Sequence, residues 1–134
     1  MKIKFSRTVS FVPEFGDNLK LPPVDQIKCQ LTVLNLSELA FVGEILAKLG
    51  ITKENAKSIV MQSDLLREMA KDMTSILSNH VKLEGLEDDS GVVKIEDIVS
   101  LAPYLQLAME ILVHLAHISS PGDNDRKNLN EPSA

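Results

Sequence analysis

The sequence predicts an α+β domain: an N-terminal two-stranded antiparallel β-ribbon packed on a predominantly α-helical body of about four helices, with a disordered C-terminal tail. Three observations carry this prediction. Apolar and polar residues alternate in two runs within the first 34 residues, the period of a half-buried strand. From residue 35 to 118 apolar residues recur every three or four positions, the period of an amphipathic helix. Beyond residue 118 neither period continues. The chain therefore divides into a ribbon with a long connector (1–34), a helical body forming one domain with it (35–118), and a tail (119–134).

In the first run Ile3, Phe5, Val9 and Phe11 alternate with Lys4, Ser6, Thr8 and Ser10. Arg7 interrupts the apolar row, with its stem over apolar neighbours and its head in water. In the second run Ile27, Cys29, Leu31 and Val33 alternate with Lys28, Gln30 and Thr32. Cys29 thus falls on the buried face, as a small core residue rather than a reactive thiol. Lys4 and Lys28 read as guards of the strand edges. Between the runs, Val12 to Asp25 holds Pro13, Gly16, Pro22 and Pro23 and is too long for a hairpin turn. It is either a binding loop or an excursion packed on its own domain.

The helices follow. Asn35 or Ser37 caps the first, Leu39, Val42, Leu46 and Leu49 form its stripe, and Gly50 stops it. The second and longest starts after Thr52 and carries Ile59, Leu66, Met69, Met73, Ile76 and His80, widened by Leu65 and Leu77, with Val81 at its end. Its stripe faces either the domain's own helices or a coiled-coil partner. Gly85 and Ser90-Gly91 break the chain, Val92 and Val93 suit a short extended piece, and a short helix spans Glu96 to Leu101. Pro103 suits the first turn of a last helix whose face is Tyr104, Ala108, Ile111, Leu112, Leu115 and Ile118.

Composition narrows the function. A chain of 134 residues, 44% hydrophobic and 25% charged, is ordinary for a single globular domain. With 4% aromatics and no Trp, the core must be aliphatic, and Met61, Met69 and Met73 help to fill it. The net charge of −5 argues against nucleic acid or an anionic membrane as partner. One cysteine, no secretory h-region in MKIKFSRTVSF and no apolar run long enough for a span fit a cytosolic protein.

No phosphate-binding loop, nucleophile elbow or carboxylate pair with a base is visible, so no enzyme and no cofactor are expected. His114 and His117 stand three apart, but one sits at the edge of the apolar stripe and the other on the solvent side, a weak zinc pair. His80 reads as a half-buried histidine or a cation at a helix C-terminus. LEDDSGVVKIED resembles a calcium loop, yet Leu86 occupies the first ligand position and Asp97 the place of the bidentate Glu. Residues 84–97 nevertheless hold six acids against Lys94 alone. Glu84, Glu87, Asp88 and Asp89 are either a solvated turn or an acidic patch for a basic partner.

Two stretches carry a family resemblance. Val12-Pro13-Glu14, Asn18, Leu21-Pro22 and Gln26-Ile27 resemble the N-terminal region of small tail-region proteins of tailed phages and prophages. Val81, Glu84-Gly85-Leu86, Asp88 and Gly91 resemble the turn after the long helix in phage tail assembly chaperone-like proteins. The resemblance covers about half the chain. It implies a non-enzymatic, chaperone-like role in tail assembly, in the host cytosol or in the virion. The implied partners are other tail proteins, such as the tape-measure or tail tube protein, with a homo-oligomer as a further possibility. Pro13, Glu14, Phe15, Asn18, Leu21 and Pro22, with the four acids above, become the candidate partner-binding residues. The alternative is a small cytosolic adaptor or regulatory domain that homo-oligomerises through the long amphipathic helix.

Overall fold

β1 (Thr8–Phe11) and β2 (Lys28–Thr32) pair antiparallel, with Thr8 opposite Thr32 and Phe11 opposite Cys29, as the two alternating runs predict. The computed structural model describes residues 3, 5–50 and 63–121. The sheet is wider than the expected ribbon. A third strand, β3 (Val81–Glu84), pairs with β2 on its other side, so β2 is central in the order β1-β2-β3. Val81, expected at the end of the long helix, is instead the first residue of β3. Its side chain and that of Leu83 lie opposite Leu31 and Cys29, which adds an apolar row to the buried face. Lys28 consequently lies on the central strand and guards no edge.

The strands are shorter than the alternation suggests, and Ile3 and Phe5 are exposed rather than buried. The cause lies in the partner strand. Val33 N–H still donates to the Arg7 carbonyl (2.8 Å), which extends the ladder by one rung. The next rung of that kind would join Phe5 to Asn35. The Asn35 N–H instead goes to Glu38 Oε1 (3.0 Å), while Glu38 N–H donates to Asn35 Oδ1 (2.8 Å). This reciprocal cap opens α1 (Leu36–Leu49) and ends the sheet. Gly50, at φ 67°, closes α1.

α2 (Ser63–His80) runs directly into β3. Thr52, Ile59 and Met61 lie outside the described residues. A tight hairpin of β4 (Glu87–Asp88) and β5 (Gly91–Val92) follows, then α3 (Ile95–Ser100), a 3-10 turn (Ala102–Tyr104) and α4 (Leu105–Ser119). Ser119, assigned to the tail from sequence, belongs to the last turn of α4, and its Oγ accepts the Leu34 N–H (2.9 Å). Residues 122–134, the remainder of the expected tail, lie outside the described residues.

α4 is heavily buried. Leu107, Ala108 and Met109 are buried in succession, along with Ile111, Leu112, Leu115 and Ile118, an arc wider than a single amphipathic stripe. They share one core with Val42 and Ile45 of α1, Met69, Met73, Ile76 and Leu77 of α2, Ile98 and Val99 of α3, and Cys29 and Leu31 of β2. Each wholly buried Leu, Ile or Met contributes about 1.5–3 kcal/mol against exposure. The described α2 stripe is thus spent on the domain's own core.

Candidate protein interface

The connector between β1 and β2 contains no regular strand or α-helix, yet it is held at four points. Extended by the β1–β2 register, the next hydrogen-bonded rung would join Pro13 to Ile27. Proline has no N–H, so the half of that rung that would donate to the Ile27 carbonyl cannot form from backbone. The side chain of Asn18 completes it. Its Oδ1 accepts the Ile27 N–H (2.7 Å), and its Nδ2 donates to the carbonyls of Ile27 (3.0 Å) and Pro13 (2.8 Å). The carboxamide stands in for a peptide group. Asn18 is 1% exposed and is the buried polar side chain among the described residues, with each amide atom engaged.

The second point is Glu110 on α4. Its two carboxylate oxygens accept Glu14 N–H (2.6 Å) and Phe15 N–H (3.2 Å), the orphan donors at the start of the 3-10 turn Phe15–Lys20. The third is Gln26, whose Nε2 donates to the Leu21 carbonyl (3.0 Å). The fourth is a close approach at Gly85, just past β3. A Cβ there would lie 2.5 Å from the Gln26 carbonyl oxygen, and the φ of 86° already favours glycine.

These braces leave outward an apolar set interspersed with the exposed charges Glu14, Asp17, Lys20 and Asp25. Leu19, Leu21 and Val24 are exposed, Val24 at 88%, beside the exposed Pro22 and Pro23. Leu21 (φ −82°, ψ 153°) and Pro22 (φ −57°, ψ 147°) are in polyproline-like geometry. At the tip Gly16 (φ 61°) and Asp17 (φ 57°) are both left-handed, and Asp17 carries the strain of a side chain there. The connector is therefore a preformed ridge.

Tyr104 ties this ridge to the acidic turn. Its ring lies 6.2 Å from that of Phe15, and its hydroxyl donates to Asp88 Oδ2 (2.9 Å). That hydrogen bond, followed by desolvation and the nearby acids Asp88, Asp89 and Asp97, raises the Tyr104 pKa. Asp88 Oδ1 accepts the Ser90 N–H (2.9 Å), closing the β4–β5 turn. Asp88, two residues after Leu86 in the calcium-loop-like stretch, thus has both carboxylate oxygens engaged by the protein. Glu84, Glu87 and Asp89 remain exposed.

The sequence candidates separate accordingly. Leu21, Pro22 and the side chain of Glu14 face solvent, whereas Pro13 and Asn18 are buried and Phe15 is half-buried, so these last three shape the ridge from beneath. Glu110, Tyr104, Leu19 and Val24 are not flagged by the sequence. Elsewhere, His80 reaches Glu38 Oε2 (2.7 Å) and the Thr32 carbonyl (3.0 Å), linking the C-terminus of α2 to the start of α1. His114 stacks on Phe11 with centroids 4.1 Å apart, and its ring is 6.1 Å from that of His117. Cys29 is buried, and desolvation first, then Glu110 and Glu84, pushes its thiol up to about 12. Among the described residues no group of three His, Cys, Asp or Glu is placed to hold a metal ion, and no helix is long and apolar enough to cross a membrane. No protein-family profile, curated protein or solved structure matches the chain.

Proposed function

We propose that this chain is a non-enzymatic, chaperone-like assembly protein of phage or prophage tails, which holds a tape-measure or tail tube protein in the host cytosol before the tube forms. The tail-assembly assignment rests on the sequence resemblance. The observation that carries the binding role is the braced connector: hydrogen bonds to and from Asn18, to Glu110 and from Gln26 fix its backbone while Leu19, Leu21 and Val24 are exposed. A ridge ordered in advance loses little entropy when it docks, so its exposed apolar area is converted efficiently into affinity. The acidic β4–β5 hairpin, joined to the ridge through Tyr104, supplies a charged rim that favours a partner with basic residues beside its apolar contact. The rival adaptor reading, with the long helix as a dimer seam, is weakened because Met69, Met73, Ile76 and Leu77 are already buried in the core.

Co-expression with the tape-measure and tail tube proteins of the same genome tests the proposal, with capture on the tagged chain and size-exclusion of the complex as readouts. One of the two should co-elute with the parent chain. The double variant Leu21→Asp, Val24→Asp should lose capture at an unchanged melting temperature. Failure of the parent to capture either protein, or undiminished capture by the variant, would overturn the assignment.

A further inference from the structure

β1 is an edge strand, and its backbone parity is fixed by the structure. The Val33 N–H to Arg7 carbonyl bond (2.8 Å) makes Arg7, Val9 and Phe11 the residues whose peptide groups turn toward β2. The peptide groups of Thr8 and Ser10 therefore turn outward, to an edge that no strand among the described residues covers. At Thr8 a local substitute occupies them. Ser6 Oγ donates to the Thr8 carbonyl (2.6 Å) and accepts the Thr8 N–H (3.3 Å). This closure spans two residues, is exposed, and involves no intrachain sheet bond, so an incoming strand displaces it without disturbing the β1–β2 ladder. The apolar alternation also outruns the β1–β2 ladder: Ile3 is 83% exposed and Phe5 56%, and β2 turns into the α1 cap at Asn35.

We propose that β1 pairs antiparallel with β1 of a second copy of this chain, about a two-fold axis at Thr8. The surface is the backbone edge of β1, not the exposed Leu19, Leu21 and Val24 of the connector. The sequence complements itself in that register. Thr8 meets the partner's Thr8, and Ser6 meets the partner's Ser10, so every outward peptide group from Ser6 to Ser10 gains a partner. On the apolar face Phe5 meets the partner's Phe11, a cross-strand aromatic pair beside the Phe11–His114 stack. Arg7 meets the partner's Val9, which keeps the two guanidinium groups from facing each other. The result is a continuous six-stranded sheet, from two copies of β1-β2-β3.

Sedimentation equilibrium of the full chain tests this, up to millimolar concentration. The expected result is a monomer–dimer equilibrium. Ser10→Pro removes an outward N–H and no intrachain rung, so it should abolish the dimer while the β1–β2 pairing persists. Phe5→Glu, before the strand, should weaken the dimer at least about ten-fold by losing the cross-strand pair. Ser6→Ala, which removes the competing hydroxyl, should tighten it by about five-fold per copy. A parent chain that stays monomeric at millimolar concentration overturns the proposal, including one whose β1 edge accepts only an unrelated extended peptide. Dimerisation of Phe5→Glu as tight as the parent's overturns it as well, even if Ser10→Pro fails to fold.

Discussion

Asn18→Ala removes the side chain that completes the sheet where Pro13 cannot. Two buried carbonyls (Pro13 and Ile27) and one buried N–H (Ile27) lose partners at 2.8, 3.0 and 2.7 Å. Each orphaned buried group costs about 1–3 kcal/mol, and water entering the space left by the carboxamide recovers part of that, so the net loss should be about 3–5 kcal/mol. Against a domain stability of about 5–15 kcal/mol this is a large fraction. For a chain of this size it corresponds to a drop of about 10–20 °C in Tm. Asn18→Asp is the sharper variant. It keeps the shape and the acceptor for Ile27 N–H, but loses both donors and sets a carboxylate against two carbonyls. It should be at least as damaging as Ala. Urea unfolding followed by circular dichroism gives both values. A loss under about 1 kcal/mol for Ala, or near-parental stability for Asp, would refute the reading of Asn18 as a substitute peptide group.

Three further outcomes are expected. Gly85→Ala should destabilise by about 2 kcal/mol or more in the same urea assay, because its Cβ would meet the Gln26 carbonyl oxygen at 2.5 Å in a left-handed conformation. The Glu38 carboxyl is held below its usual 4.5 by its hydrogen bond with the Asn35 backbone and then by His80, so its stabilisation is present above that pH and lost as pH falls through the lower folded-state value; the stability gap between the parent and Glu38→Gln should be full at neutral pH and close in acid. Cys29, buried with its thiol pushed up to about 12, should resist alkylation at pH 8 in the native protein and react only at the rate of unfolding, as mass spectrometry of iodoacetamide-treated samples would register.

Much of the architecture was legible because it is written in local periods. Ile27 to Val33 alternates without interruption and contains β2 (Lys28–Thr32), and Asn35, Glu38 and Gly50 mark the ends of α1 by chemistry confined to a few residues. Ile76 and Leu112, on helical stripes in the sequence, are both buried. What escaped depends on contacts between distant segments. β3 offers only Val81 and Leu83 as an alternating pair and follows His80 with no turn residue, so helical continuity was the stronger local signal. Ile3 and Phe5 have the strand period, but whether they are covered depends on where β2 leaves the sheet. In the candidate interface, Pro13, Asn18, Leu21 and Gln26 belong to the stretch that carries the family resemblance, but that pattern does not say which side chain faces in. Asn18 looks like any turn asparagine until Ile27 is placed beside it. Glu110 looks like a solvated helix position until the chain folds Glu14 and Phe15, 96 and 95 residues away, onto its oxygens.

Native-state hydrogen exchange of the connector amides tests most directly whether the ridge is preformed. The full chain would be followed by NMR, with the Ile27, Glu14, Phe15 and Leu21 N–H groups compared with the β2 amides paired to β3. Ile27, bonded to Asn18 Oδ1, should exchange as slowly as β2. Glu14 and Phe15, bonded to Glu110, and Leu21, bonded to the Asn18 carbonyl, should be protected well above free-chain rates. Exchange of all four at free-chain rates while β2 stays protected would contradict a preformed ridge: the connector would then be a loose loop, with its apolar residues held in no fixed arrangement for a partner.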